Sequence, residues 1–369
     1  MDYVLLTVVL FLVGFGLLMI YSTSSYEAAV EHNDSAYYLK KQATSTLLGF
    51  VGLVFMTKFP YKLLQKFDVL AIIVSALLII AVLTPLGVTR NGARRWLNLQ
   101  FTSFQPAELA KIGVIIYLAS IIQRLECVGK NVIRTPKGIA IIFAPPAVIA
   151  GLIYIITSNL SSAIIVMGIA IAMLFVAVPD YKWFIIGAVS ITVLVFLVVL
   201  YVSGADTTDS GFRLARVKAW LEPESYSTDR AFQTLQALYA IGSGGIWGKG
   251  LGQSMQKRGF LPEAQNDMIF SIICEELGLF GAMAIIFLFI VLIWSCMIIA
   301  NKTIDRFGSL LVVGVMAHYA IQVILNIAVV TNTIPNTGIT LPFISYGGTS
   351  SLFLLMEIGI VLNISKHCK

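Results

Sequence analysis

Charge is what this chain has least of. Asp, Glu, Lys and Arg make up 12% of its 369 residues, about half the share usual in a soluble globular domain, which excludes an ordinary water-facing surface. Cysteine is equally sparse. Cys127, Cys274, Cys296 and Cys368 show no CxxC or CxxH spacing, so neither a disulfide framework nor a structural zinc site is expected. The net charge is +6, yet no run of Lys and Arg and no basic patch mixed with aromatics points to nucleic acid as a partner. On a membrane protein such an excess reflects loop topology and contact with anionic lipids. An internal repeat is also missing, which removes a common sign of a secondary transporter.

Hydrophobic length is what the chain does have, with 58% of its residues apolar or aromatic. Continuous apolar runs of about 20 residues satisfy their backbone in lipid only as helices. About ten such runs lie near residues 2–22, 40–57, 67–87, 105–123, 138–157, 160–178, 183–203, 267–300, 307–330 and 346–365. The fold class read from them is an all-α polytopic membrane protein, one membrane domain over residues 1–369. A large extracytoplasmic loop, 204–266, would separate the seventh and eighth helices. Met1 to Ser22 lacks a basic n-region and a small-residue cleavage site, so it reads as a retained span. The run 267–300 exceeds one perpendicular crossing, which implies strong tilt or an extension beyond the bilayer.

Orientation follows from basic residues in short loops. With the N-terminus inside, cytoplasmic segments hold Lys58, Lys62, Lys66, Arg124, Lys130, Arg134, Lys137, Lys182, Lys302, Arg306, Lys366 and Lys369, whereas external ones hold Lys40, Lys41, Arg90, Arg94 and Arg95. That asymmetry places the long segment 204–266 on the extracytoplasmic side.

Polar chemistry collects near the eighth run. In LPEAQND, 261–267, Pro262 suits a first helical turn, and Asn266 or Asp267 can cap the helix. A carboxylate here can equally serve as a base, because partial desolvation raises its basicity. The preceding GSGGIWGKGLG has the wrong spacing for a phosphate loop; its glycines suit a re-entrant turn or a close backbone approach to a ligand. Glu275 and Glu276 sit inside the apolar run. In one regular helix Glu275 would lie about 80° around from Asp267 and Glu276 on the opposite face, so at most one shares its cavity, and both read as partners for neighbouring helices. Between residues 91 and 111, Arg94, Arg95 and Trp96 suit an interfacial anchor or an anion site, and Glu108 and Lys111 can pair along one helix. The segment 331–352, with two prolines and three glycines between apolar helices, reads as a cavity wall. His318, Glu357 and Asn363 read as interhelical hydrogen-bond partners.

Together NGARRWL, QPAELAK, GGIWGKGLGQSMQKRGFLPEAQND, EELG and LPFISYGG resemble the SEDS family of bacterial shape, elongation, division and sporulation proteins, in order over nearly the whole chain. LPFISYGGTS is closer to the division and sporulation branch (FtsW, SpoVE) than to the elongation branch (RodA). The resemblance implies a peptidoglycan glycosyltransferase that polymerises lipid II on the outer face of the bacterial cytoplasmic membrane, with a class B penicillin-binding protein as transpeptidase partner. Membrane lipids and other divisome or sporulation proteins are further implied partners. It also implies that Asp267 is essential, with Lys41, Arg94, Arg95, Glu108, Lys111, Gln233, Lys257, Glu263 and Ser345 as cavity positions. Departures from the family pattern fall at Gln265 and Asn266, at TNTIP in place of TGxxP, and at SNLSS, where Asn159 replaces an aspartate.

The expected reaction is inverting. A GlcNAc 4-hydroxyl attacks the anomeric carbon of MurNAc and a diphosphate departs, which requires one base and positive charge. Asp267 is the expected base; Arg94, Arg95, Lys111 and Lys257 are the expected cations. Mg²⁺ or Mn²⁺ stays open as an aid, Asp267 and Glu263 being a thin ligand set. A lipid II flippase or amphiphile transporter, and a non-catalytic scaffold for the transpeptidase, are the competing readings.

Overall fold

A computed structural model describes residues 1–90, 93–98, 103–129, 132–178, 181–204, 220–226 and 231–368. Its helices are α1 (Tyr3–His32), α2 (Tyr37–Lys58), α3 (Asp68–Ala81), α4 (Pro106–Val128), α5 (Pro136–Thr157), α6 (Leu160–Ala177), α7 (Tyr181–Gly204), α8 (Phe232–Gly244), α9 (Ile269–Lys302), α10 (Arg306–Val330) and α11 (Gly348–Ser365). Among the described residues seven stretches are long and apolar enough to cross a membrane: α1, α5, α6, α9, α10, α11 and the 3₁₀ segment from Tyr61 that runs on into α3. The protein is a multi-pass membrane protein. Each of the apolar runs read from the sequence carries a helix, and the short α8 adds one that has no long apolar run behind it.

Several helix starts are capped as their sequence dictates. Side chains of Asp2, Thr135, Asn159 and Asp305 accept hydrogen bonds from amides three residues on, at 2.9, 3.1, 3.1 and 3.2 Å, which satisfies donors left over by the helical ladder. Helix α10 is the centre of the bundle, packing on α4, α6, α9 and α11. On another side α2 lies along α11 with small residues at the contact: a Cβ on Gly359 would stand 2.6 Å from the Leu53 carbonyl oxygen. Small residues let helices approach where lipid supplies no hydrophobic drive.

Two features depart from the sequence reading. The presumed loop after α3 contains a three-stranded antiparallel sheet of β1 (Gly87–Arg90), β2 (Ala93–Asn98) and β3 (Ser103–Phe104), with Val88 opposite Trp96 and Leu97 opposite Phe104. Thr84, Pro85 and Gly87 end the helix, and the strands after them are too short for periodicity to reveal. The second departure is α9, which neither merely tilts nor simply overruns but breaks at Gly278, where φ is 67° and ψ −168°.

The glycine-rich segment after α8 repairs that break. Amides of Lys249 and Gly250 donate to the carbonyls of Glu275 and Glu276, both at 2.9 Å, while amides of Leu279 and Phe280 donate to Gly245 and Ile246 at 2.9 and 3.2 Å. Two carbonyls before the break and two amides after it thus find partners, as the membrane interior requires. The close backbone approach expected of these glycines is therefore to a helix of the same chain.

Candidate active site

Asp267 sits two residues before α9, on the wall of a cleft of about 830 Å³. The walls come from the start of α2 (Lys41, Thr44, Ser45), from β2 (Arg95, Trp96, Asn98), from the start of α4 (Gln105, Glu108), and from the turn of Glu263 and Asn266. Gly338, Thr340 and Tyr346 from the α10–α11 connection and the first turn of α11 complete it. The expectation of a cavity wall in 331–352 matches this placement.

Asp267 caps nothing. The residue flanking α9 is Met268 and no side chain caps the helix. Asp267 is 9% exposed, and its Oδ1 is buried without a hydrogen-bond partner. Burial, and then the negative charge of Glu263, raise its carboxyl from the ordinary 3.8 to about 7. A buried carboxyl oxygen left without a donor costs free energy unless it serves a purpose in that state. Its main chain is well held: Asn326 Nδ2 of α10 donates to the Asp267 carbonyl at 2.8 Å and to the Ile339 carbonyl at 2.6 Å.

The other predicted positions separate into groups. Lys41, Arg95, Glu108 and Glu263 line the cleft with Asp267. The Lys41 ammonium lies 4.3 Å above the Tyr37 ring and 2.5 Å from its hydroxyl. Arg95 donates to the carbonyls of Thr157 and Ser158 at the end of α5, at 3.1 and 2.9 Å, where a cation complements the helix dipole. Glu263, at φ 57°, accepts a hydrogen bond from Asn266. Glu108 pairs with the buried Lys111 at 2.9 Å through Oε1, and its Oε2 is left without a partner.

Of the four cations expected around a diphosphate, only Arg95 lines the cleft. Arg94 donates to the carbonyls of Thr84 and Gly87, at 2.5 and 3.2 Å, and so braces the sheet. Lys111 is 1% exposed and committed to Glu108. Lys257 is buried against Glu276 at 2.7 Å and the Ser22 hydroxyl at 2.9 Å. Glu275 is likewise taken by Lys249 at 2.7 Å and by the Ser254 hydroxyl, so both glutamates of EELG serve packing, as the sequence suggested. Neither shares the cleft, because the helix that would have aligned Glu275 with Asp267 begins only at Ile269.

Gln233 and Ser345 act at one remove. Gln233 donates to the Pro262 carbonyl at 3.1 Å and accepts from Asn336 at 2.8 Å, joining the two loops that flank Asp267. Ser345 Oγ accepts from the Leu341 amide at 2.7 Å and closes a turn. Asn159, in place of a family aspartate, caps α6 and lines the cleft.

Sequence reading overlooked Gln322 and Asn326. The signal was present: His318, Gln322 and Asn326 recur every fourth residue in an otherwise apolar helix, which puts them on one face. The flanking residues Gln105, Asn159 and Gly347 of α4, α6 and α11 all stand on the cleft wall. Three helix N-termini thus point their positive ends towards one cavity. Among the described residues no three His, Cys, Asp or Glu side chains converge into a metal cage.

Comparison with known proteins agrees with this architecture. Residues 3–369 match the model for cell cycle proteins of the FtsW, RodA and SpoVE type. Stage V sporulation protein E of Bacillus subtilis is 36% identical, over 100% of this chain and 98% of that protein. The probable peptidoglycan glycosyltransferase FtsW of Trichlorobacter lovleyi is 38% identical, over 100% and 94%. In structure the chain resembles a protein from a study of a peptidoglycan synthase complex that coordinates polymerization and crosslinking, with TM-score 0.79, 23% identity and coverage of 99% and 97%. It also resembles RodA of Thermus thermophilus, with TM-score 0.68, 24% identity and coverage of 99% and 96%. Whole-chain matches in sequence and a shared fold leave one conclusion: this chain belongs to the FtsW, RodA and SpoVE family.

Proposed function

We propose that this protein is a peptidoglycan glycosyltransferase that polymerises lipid II into β-1,4 glycan strands, in division or sporulation, with Asp267 as its base. The observation that carries the assignment is a buried carboxylate, raised to about 7 and without a donor on Oδ1, on the wall of a cleft of about 830 Å³ lined by both polar and apolar side chains. A base of that basicity suits proton removal near neutral pH.

The acceptor hydroxyl gives its proton to Asp267 as its oxygen attacks the anomeric carbon. The bond to the diphosphate oxygen breaks on the opposite side, and the diphosphate leaves as an anion. Lys41 and Arg95, together with the N-terminus of α11, which no side chain caps, supply positive potential for that anion. Asn98, Gln105 and Thr340 offer hydrogen bonds to sugar hydroxyls, and Leu48, Leu352 and Phe353 offer apolar surface for the polyprenyl chain. If Mg²⁺ or Mn²⁺ takes part, Asp267 and Glu263 are the side chains that would meet it beside the substrate's phosphates.

Sidedness is supported by the arrangement of the bundle. The cleft gathers the starts of α2, α4 and α11, whereas Lys58, Arg124 and Lys366 belong to their other ends. With the basic ends in the cytoplasm, the cleft opens on the extracytoplasmic side, where a class B penicillin-binding protein would receive the strand. The test is glycan synthesis from lipid II by the purified full chain with that partner. Wild-type protein should make polymer, and Asp267→Asn, equally folded, should make about 10² to 10⁴ times less. Ordinary turnover by the variant would reject Asp267 as the base.

A further inference from the structure

One face of α10 carries a line of polar contacts that reaches two of the carboxylates lining the cleft, Asp267 and Glu108. Asn326 holds the Asp267 carbonyl. One turn earlier, Gln322 donates from Nε2 to the Thr340 carbonyl at 3.0 Å, while its Oε1 lies 3.3 Å from Lys111 Nζ and 2.9 Å from His318 Nε2. Lys111 in turn holds Glu108. A further turn back, His318 Nδ1 lies 2.9 and 3.1 Å from the two carboxyl oxygens of Glu357 on α11. His318, Gln322, Asn326, Lys111 and Glu357 are all buried.

Donor and acceptor rules fix the protons. An ammonium only donates, so the Gln322 atom facing Lys111 is its oxygen. That same oxygen faces His318 Nε2, which must therefore carry hydrogen. One further proton lies between Nδ1 and Glu357, because a bare imidazole nitrogen and a carboxylate would repel. Shared in either direction it leaves the pair neutral overall, as burial among apolar helices demands. Charge is balanced again at Lys111 and Glu108.

We infer that His318 and Glu357 are positioning residues for glycan polymerisation: through Gln322 they hold Lys111, and hence Glu108, and the Thr340 segment of the cleft wall, in register with Asp267. The inference rests on the proposed reaction for its kinetic arm only. The device works by hydrogen-bond geometry at a distance from substrate, so its loss acts on the chemical step rather than on lipid II binding.

The experiment uses the full chain with its class B partner and three changes: Gln322→Leu, the apolar pair His318→Leu with Glu357→Leu, and Glu357→Gln. Kinetics on lipid II are read beside hydrogen–deuterium exchange of amides 338–341. Gln322→Leu should lower kcat about tenfold or more with KM within about threefold, and should speed exchange at 338–341. The apolar pair, which can pack without stranded charge, should shift both readouts in the same direction. It carries the test if Gln322→Leu fails to fold. Glu357→Gln should restore both, since its amide N–H can supply the hydrogen that Nδ1 needs. Unchanged exchange in folded Gln322→Leu would overturn the spine even if wild-type protein makes no glycan, a result that would instead sink the proposed function. Faster exchange with normal kcat would overturn the positioning role, and an inactive Glu357→Gln with unchanged exchange would overturn the shared-proton account.

Discussion

Gly248 and Gly278 meet backbone to backbone: a Cβ on Gly278 would lie 2.4 Å from the Gly248 nitrogen, and one on Gly248 would lie 2.2 Å from the Glu276 carbonyl oxygen. The contact seals the break in α9 eleven residues beyond Asp267, in the helix that begins just after that carboxylate.

Gly278→Ala combines that clash with a backbone conformation open essentially to glycine alone, worth about 1–3 kcal/mol of strain before any clash is counted. The variant should show a markedly lower thermal midpoint in detergent, or fail to purify as a monodisperse species. Gly245→Ala is the comparison: it shares a positive φ of 58° but meets no atom within 4 Å, so it should lose less.

Lys257→Ala should lose folded protein rather than lipid II affinity. Removing the ammonium leaves Glu276 charged and buried among Ser22 and Ser254, and breaking such a pair costs about 3–5 kcal/mol. Lys257→Met combined with Glu276→Gln should recover much of the thermal midpoint. A stable Lys257→Ala with a raised KM would return Lys257 to the substrate.

Initial rates should climb through a limb near pH 7, because Asp267, raised to about 7, must be ionised to act as base. Glu263→Gln removes the second cause of that elevation and should move the limb to lower pH. A limb that stays in place would show that another group controls it.

Stability should respond to the same carboxyl with the opposite sense. Its folded pKa lies above the ordinary 3.8, so the folded state binds more protons between pH 4 and 7, and the stabilisation present below that window is lost as pH rises through about 7. Asp267→Asn removes this loss. Its thermal midpoint at pH 8 should equal or exceed that of wild type, whereas a capping aspartate would give a drop.

Lys41→Ala should lower kcat as well as raise KM for lipid II, because a cation facing the departing diphosphate stabilises charge that grows in the transition state. Its neighbour Tyr37, which holds the ammonium by ring and hydroxyl, should show a smaller effect of the same kind when changed to Phe.

Composition and apolar run length alone determined the helical membrane class, the approximate place of each long helix and the segment that carries Asp267, because lipid admits few ways of satisfying a backbone. Motif order indicated the family. Tertiary structure alone decided which charges face the cleft. Lys257, Lys111 and Arg94 look like phosphate ligands as residue types, but each is engaged within the protein: Lys111 by Glu108 three residues away on its own helix, Arg94 by the Thr84 and Gly87 carbonyls, and Lys257 by Glu276, nineteen residues away and beside it only in the folded chain. The break in α9 depends on one glycine meeting another across a loop. The face of α10 made by His318, Gln322 and Asn326 was present as a four-residue period, but its purpose appears only when α4, α11 and the Thr340 segment surround it. Local chemistry sets what a residue can do, and long-range packing sets which groups remain to do it.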